Sequence, residues 1–501
     1  FAFAWFNKTT NQLVLARDRI GIKPLFFALD NQYGYWFASE VKAILEVIAC
    51  TPNPIKILFS GLGVLEKSRY ETAWDNVFHV RPGTYVTINS SGHQEATYYE
   101  ITDVVDEKRY LKFETSRFAD VLAEFEGLFD AAVKRMLISD APMGAYVSGG
   151  IDSSLIALYA ARHQSEFKLF TANVIGKYSE FGDAQLLAQS LKKPLFDYKF
   201  EKEMALRDWA KVTWHYESPL VVHFNAIPFS NVSWLAHQEQ VKAVLTGEGS
   251  DELFLGYPKL LTRKYDALIK SPFNLLKSLY KAIPKLSSYV SNEGGSQDLL
   301  GLFEQAAQNF TRQIIREKGI QAYDFLPERQ RREQYLTAQM MQEGIVSLLW
   351  RNDRMGMINS IEARFPFLDE EIIAFAMNLP VKFKIGRTVR FHNYKHPFLI
   401  DKYIVRKLAE KKLPDALTFK TKNGFPTYGL RHVKINPAFF KNGYIAEILK
   451  MDTRQIDYMS SNFSTYHMAL LGSVEIWTKI FVERKDHNLV SQDIGQFFSI
   501  E

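Results

Sequence analysis

The sequence is poor in several things, and each absence excludes a class. One cysteine, Cys50, stands in 501 residues, so no intrachain disulfide can form and no Cys-rich zinc site can be built. No uninterrupted apolar run reaches the ~18 residues needed to span a bilayer. No positively charged segment followed by a short apolar stretch opens the chain. Neither charge sign dominates: 61 Lys+Arg against 56 Asp+Glu leave +5, without the concentrated basic face of a dedicated nucleic-acid binder. Internal repeats and low-complexity tracts are also missing. What remains is a globular balance of 47% hydrophobic and 23% charged residues. The length predicts two to four domains. A cytoplasmic protein with no membrane partner is expected. The chain also opens without Met, on Phe1-Ala2-Phe3-Ala4-Trp5, inside what reads as a strand.

Residues 1 to about 100 read as β. Phe1–Phe6 and Leu13–Ala16 flank a polar hairpin loop, Asn7 to Asn11; Pro24–Ala28, Tyr35–Ala38, Phe78–Val80 and Tyr85–Ile88 follow, rich in aromatic and β-branched residues. From about Glu114 the period becomes helical. Phe118 to Leu137 carries apolar residues at i, i+3 and i+4 spacing, one long amphipathic helix. Strands at 144–147, 168–175, 195–200 and 241–246 then alternate with helices at 153–162, 183–191 and 226–237, which argues for a parallel sheet covered on both faces. Beyond about Pro258 the chain reads as mostly helical. Lys259 to Lys285 is basic, with Leu and Tyr interleaved; a solvated helix face is favoured there over an RNA or membrane-surface helix.

Tyr146-Val147-Ser148-Gly149-Gly150-Ile151-Asp152-Ser153-Ser154 sits where a strand ends and a helix begins. Two glycines let the backbone approach an anion, and the N–H groups of the following helix start point at it. Ser148, Ser153 and Ser154 add hydroxyls, and Asp152 can hold Mg²⁺ bridging phosphates. No Gly-Lys-Ser/Thr ending follows, so this is not the loop that grips a γ-phosphate in kinases. Leu245-Thr246-Gly247-Glu248-Gly249-Ser250-Asp251-Glu252 brings three carboxylates together directly after an apolar strand, a costly cluster unless a cation or a substrate ammonium sits there.

Ser-Gly-Gly-Ile-Asp-Ser resembles the pyrophosphate loop of the ATP pyrophosphatase superfamily, which splits ATP into AMP and pyrophosphate. Gly247 to Phe254, Asp353-Arg354-Met355, Glu362-Ala363-Arg364-Phe365-Pro366-Phe367-Leu368-Asp369 and Lys420-Thr421-Lys422-Asn423-Gly424-Phe425 resemble, in order, motifs of the glutamine-dependent asparagine synthetase family. Ala16 to Leu25 and Ala38 to Ala43 resemble the second half of a class II glutamine amidotransferase domain. The sequence departs from the family at Gly356, where serine is usual, at Lys420, where arginine is usual, and over Val221-Val222-His223-Phe224-Asn225.

The resemblance implies an α/β fold. A parallel-sheet ATP-pyrophosphatase (adenine nucleotide α-hydrolase-like) domain with a helical C-terminal part, residues 106–501, follows a partial, antiparallel β-rich N-terminal-nucleophile amidotransferase domain, residues 1–105. It implies ATP-dependent amidation of a carboxylate through an acyl-adenylate, with ammonia normally from glutamine. A non-aspartate acceptor (a sugar uronate, a peptide or a secondary metabolite) and a non-catalytic scaffold paralogue are the alternatives. Glu362 is the candidate for proton removal from the ammonium-like intermediate, against a structural pairing with Arg364 or Arg354. Lys422 is the candidate for stabilising developing negative charge. Val147, Ser148, Gly149, Gly150, Asp152, Ser153, Ser154, Gly247 and Ile361 are expected to bind ATP. Glu248, Gly249, Ser250 and Glu252 are expected at the acceptor, and Asp152 and Asp251 on Mg²⁺. The family's glutaminase uses an N-terminal Cys with a free α-amine, which internal Cys50 cannot supply. A separate glutaminase segment is therefore the expected partner, and glutamine hydrolysis by this chain is not expected. A homodimer is left open.

Overall fold

A computed structural model describes residues 1–60 except 31 and 33, and residues 70–175, 179–257, 320–388, 399–420 and 429–501. The basic stretch from Lys259 to Lys285 lies outside the described residues.

The N-terminal part builds two antiparallel sheets. Strands β1 (Ala2–Asn7), β2 (Gln12–Arg17), β6 (Thr84–Asn89) and β7 (Gly92–Thr97) form one in the order β1-β2-β6-β7; β3 (Phe26–Asp30), β4 (Gly34–Ala38) and β5 (Val77–His79) form the other in the order β4-β3-β5. Alternation explains their cohesion. Leu15, Val86 and Ile88 point from the first sheet into one apolar cluster with Leu25, Phe27 and Val80. The short helix α1 (Val41–Leu45) follows β4. β7 carries the polar sequence Gly-His-Gln-Glu-Ala-Thr at the sheet edge, so no apolar alternation announces it.

The helices α2 (Glu107–Thr115) and α3 (Phe118–Met136) lead into a second, wholly parallel sheet. Its strands are β8 (Met143–Tyr146), β9 (Lys168–Val174), β10 (Leu195–Phe200), β11 (Ala243–Leu245) and β12 (Glu362–Arg364), in the order β10-β9-β8-β11-β12. Successive residues feed opposite faces. Ala145, Leu169 and Leu245 enter a cluster with α3, with α4 (Ile151–His163) and with α5 (Phe181–Leu191); Tyr146, Phe170 and Val244 enter another with α6 (Lys202–Tyr216) and α7 (Ala226–Gln238). Burial on both faces is why β8 and β11 read as unbroken apolar runs. The short helix α8 (Ser250–Phe254), then α9 (Ile345–Met357), α10 (Tyr403–Ala409) and α11 (Thr465–Phe481) belong to the helical remainder. Among the described residues, no helix is long and apolar enough to cross a membrane.

A buried ion network joins the two parts. Glu217 ends α6 in the left-handed region at φ +58°. Its carboxylate accepts from the N–H groups of Val41 (3.2 Å) and Lys42 (2.8 Å) at the start of α1, and from Arg354 of α9 at 2.7 Å. Arg354 also pairs with Glu40 at 3.1 Å, donates to the Ser39 carbonyl at 2.9 Å, and lies over the Trp350 ring. Asp353 accepts from Lys23 at 3.0 Å. Glu217 and the Asp353-Arg354 motif thus hold the junction together. Gly356 has a packing reason: a Cβ there would meet the Ile361 carbonyl oxygen at 2.4 Å, which leaves no room for a serine.

Candidate active site

In the sheet order β10-β9-β8-β11-β12 the chain winds outward in both directions from β8, and the crevice outside the carboxyl ends of β8 and β11 is the switch point of such a fold. The two loops singled out in the sequence leave these two strands. Gly149 takes φ +68°, and a Cβ there would meet Asp183 Cβ at 2.3 Å, so the turn needs glycine on both counts. The Ser148 N–H donates to Ser153 Oγ at 3.3 Å, that hydroxyl donates to the Gly150 carbonyl at 3.2 Å, and the Gly150 N–H donates to Ser148 Oγ at 3.3 Å. Val147 is buried and tied to β9 through the Phe170 carbonyl. Ser154 is buried within α4, and its hydroxyl has no hydrogen-bond partner among the described residues.

The second loop comes against the first. A Cβ at Gly247 would lie 3.0 Å from Asp152 Cβ, so this glycine permits the approach. Ser250 Oγ donates to Asp152 Oδ1 at 2.6 Å. Asp251 is buried beside it. Glu248 is clamped by Arg351 and by Asn352 Nδ2 at 3.1 Å, both from α9, and Arg351 lies over the Phe229 ring of α7. Gly249 turns at φ +94° and donates its N–H to Glu252 Oε2 at 3.1 Å. Burial pushes the Glu252 carboxyl up to about 7; the hydrogen bond from Tyr257 opposes this, and neighbouring Glu248 adds to it.

Because the native Glu252 takes up its proton at higher pH than the usual 4.5, the folded chain binds more protons between those values. The contribution is full below about 4.5 and lost as pH rises through about 7. The stability difference between wild type and Glu252→Gln should therefore fall across that window, by at most ~1.4 kcal/mol per pH unit, and level off above it. Urea midpoints measured over a pH series check this; a pH-independent difference contradicts it.

Lys402, which sequence reasoning did not single out, completes the cluster. Its ammonium stands 2.6 Å from Asp152 Oδ2 and 3.0 Å from Asp251 Oδ1, with the side chain only 2% exposed. No local motif marks it; it reads as one more lysine before an apolar helix. Nearby, Lys420 is pinned by Glu180 and Asp183, both at 2.7 Å, and its carbonyl accepts from Arg406 at 3.0 Å. Lys422, two residues on, lies outside the described residues.

Two expected site residues are not brought to this crevice. Glu362 begins β12, level with Ala243 of β11 and Met143 of β8, and Ile361 immediately precedes it. At ~3.3 Å per strand residue that level is ~16 Å from Ser148, at the opposite end of the sheet. Glu362 is half exposed and paired with Arg364 Nε at 2.9 Å, while Ile361 is fully buried. The expectations that Glu362 removes a proton from the ammonium-like intermediate and that Ile361 binds ATP are corrected accordingly. The strand that places the apolar Ala363 in the core fixes Ile361 and Glu362 at its amino end, and the alternative pairing with Arg364 is the one present.

The asparagine synthase family matches residues 124–455, two thirds of the chain, and the glutamine amidotransferase domain family matches residues 1–99. The chain belongs to the asparagine synthase family. Membership places it among ligases that carry out ATP-dependent amidation. Its relatives include glutamine-hydrolysing asparagine synthetase 3 of Bacillus subtilis, 28% identical over 458 residues that cover 85% of this chain and 67% of that protein. Another is the amidase chry2 of Gibberella zeae, 24% identical over 478 residues, 85% of this chain and 69% of that protein. Among solved structures, an NH3-dependent NAD synthetase from Campylobacter jejuni is 16% identical and covers 39% of this chain and 95% of that chain at a TM-score of 0.22.

Proposed function

We propose that the chain activates a carboxylate with ATP as an acyl-adenylate and then amidates it with ammonia, acting through the crevice at the ends of β8 and β11. The observation that carries this reading is the meeting of the phosphate loop with Asp152, Ser250, Asp251 and Glu248 at one topological switch point. ATP phosphates lie against the N–H groups and hydroxyls of the loop from Ser148 to Ser153, with Ser154 buried behind it. The acceptor carboxylate attacks the α-phosphorus, pyrophosphate leaves, and ammonia then displaces AMP from the acyl carbon. Glu248, Gly249, Ser250 and Glu252 face the acceptor in this reading, with Glu248 held in place by Arg351. Lys422 stabilises developing negative charge. Lys420, two residues earlier in the chain, is pinned to Glu180 and Asp183 beside the phosphate loop, which supports the assignment.

Asp152 and Asp251 fit a magnesium ion. One or two carboxylates plus substrate phosphates are the usual complement for this metal, and both side chains are held in place by close approaches: a Cβ on Gly256 would strike Asp251 Oδ1 at 1.8 Å. When bound there, the metal supplies charge neutralisation on the phosphates.

Residues 1–105 are read as part of a class II glutamine amidotransferase and residues 106–501 as the synthetase. Ammonia in this reading comes from glutamine hydrolysed by a segment that carries an N-terminal cysteine. The cavity at the junction, lined by Arg17, Phe26, His79, Glu217, Trp350 and Trp477, is proposed as part of its route. Burial, with Arg17 and Arg354 nearby, drives the His79 pKa well down, so the ring stays neutral. Burial pushes the Cys50 thiol up to about 11, which leaves it a poor nucleophile. Cys50→Ser should therefore leave glutamate release from glutamine unchanged; glutamate release that Cys50→Ser abolishes would show this reading of Cys50 to be wrong.

The acceptor is tested by pyrophosphate release with ATP, Mg²⁺, ammonium and a panel of carboxylates. Release with aspartate alone supports the asparagine synthetase reading. Release only with a uronate, a peptide or another acid supports the alternative that the altered segment Val221 to Asn225 raises. No release with any acid supports a scaffold.

A further inference from the structure

Lys402 lies where the two metal-binding carboxylates converge. Asp152 comes from the first turn of α4, Asp251 from α8, and the Lys402 ammonium bridges them at 2.6 and 3.0 Å. The lysine is built into this place. Its backbone takes the left-handed region at φ +48° immediately before α10, an unfavourable conformation that persists only when its surroundings impose it. The surroundings do so: Arg406 of α10 holds the fully buried Asp401 carboxylate through Nε at 2.8 Å and Nη2 at 2.6 Å, and its Nη1 donates to the Thr418 carbonyl at 2.7 Å. The carboxylates are equally fixed by the clearances at Gly247 and Gly256.

An ammonium at hydrogen-bond distance from both carboxylates and a divalent cation sharing those same oxygens cannot coexist, because like charges a few ångströms apart in a water-poor site repel strongly. We propose that Lys402 is a resident counter-ion that makes metal entry conditional on the nucleotide. In the nucleotide-free chain its ammonium neutralises Asp152 and Asp251 and holds divalent cations off. When ATP binds, the phosphates take over the ammonium and free both carboxylates for the metal that arrives with the nucleotide. This inference rests on the assignment of Asp152 and Asp251 as the metal ligands.

The test is Mn²⁺ binding to the full 501-residue chain, read by electron paramagnetic resonance, with and without a non-hydrolysable ATP analogue. Wild type should bind Mn²⁺ at least about tenfold more tightly with the analogue than without it, the scale of a typical coupling between sites. Lys402→Gln should bind Mn²⁺ without nucleotide at least about tenfold more tightly than wild type, and its dependence on the analogue should collapse, whereas Lys402→Arg keeps the wild-type behaviour. Equal wild-type affinity with and without the analogue overturns the proposal, as does a folded Lys402→Gln variant that gains no affinity. If that variant does not fold, Lys402→Met titrated in the same way takes its place and decides by the same two readings. Asp251→Asn separates the premise from the inference. Loss of analogue-dependent Mn²⁺ binding in this variant keeps the metal assignment whatever Lys402 does, and unchanged binding overturns both.

Discussion

Asp152→Ala is expected to lower pyrophosphate release by about 10²–10³-fold, the cost of removing one group that meets charge developing in a transition state. The residue stands at the centre of the crevice. It accepts from Ser250 at 2.6 Å and from Lys402 at 2.6 Å, and Gly247 packs onto its Cβ. Its loss removes one of two carboxylates proposed to hold the metal, and it leaves Lys402 with Asp251 as its only carboxylate among these two. The side chain sits in the first turn of α4, and that helix is held by Ile151, Leu155, Ile156 and Ala157 in the core. The variant should therefore remain folded while losing activity. Unchanged circular dichroism with a collapsed rate is the expected pair of results. A rate within a few-fold of wild type would remove Asp152 from the chemistry.

The second large effect is on stability. Arg354→Met should destabilise the chain by about 3–5 kcal/mol, because it leaves the Glu217 carboxylate buried without its cation. Both side chains are almost wholly buried, at 3% and 1% exposure, and they meet at 2.7 Å. The Val41 and Lys42 N–H groups still reach Glu217, and Lys42 Nζ stands 3.6 Å away, so part of the charge stays compensated and the lower end of that range is the better expectation. The double variant Arg354→Met, Glu217→Gln should recover part of the loss, since the uncompensated charge goes with it. Denaturation midpoints of the two single variants and the double variant measure the coupling. Simple additivity would show that the pair does not act as a unit. Because this pair clamps the start of α1 to α9, its loss should also loosen the N-terminal sheets against the synthetase side, visible as faster amide exchange in α1.

Much of the fold and of the crevice is legible in the sequence. The alternation from Met143 to Leu245 marked the parallel sheet because strands buried on both faces must be apolar throughout. The hairpin from Ala2 to Arg17 followed from two runs rich in aromatic and β-branched residues around a polar loop, and the helix from Phe118 to Met136 from a period of 3.6. The two crevice loops were visible because only glycine and small residues let backbones come so close. Three things escaped. β7 is an exposed polar edge and carries no alternation. α6 alternates charged and aromatic residues, so its buried side, Trp209, Val212 and Tyr216, is hidden among charges. Lys402 acquires meaning only from residues 250 and 151 positions away in the chain, a juxtaposition that no local pattern records. Glu362 illustrates the opposite error. A motif match carried its role, but strand register decides which end of the sheet a residue occupies, and three residues of β12 put it at the far end.

The most direct test of ATP-dependent amidation through an acyl-adenylate follows one oxygen atom. The chain is incubated with ATP, Mg²⁺, ammonium and the acceptor that gives the fastest pyrophosphate release, its carboxylate labelled with oxygen-18. If that carboxylate attacks the α-phosphorus, one labelled oxygen appears in AMP for each amide formed. Label in inorganic phosphate with ADP as the nucleotide product, or unlabelled AMP beside formed amide, would contradict the account.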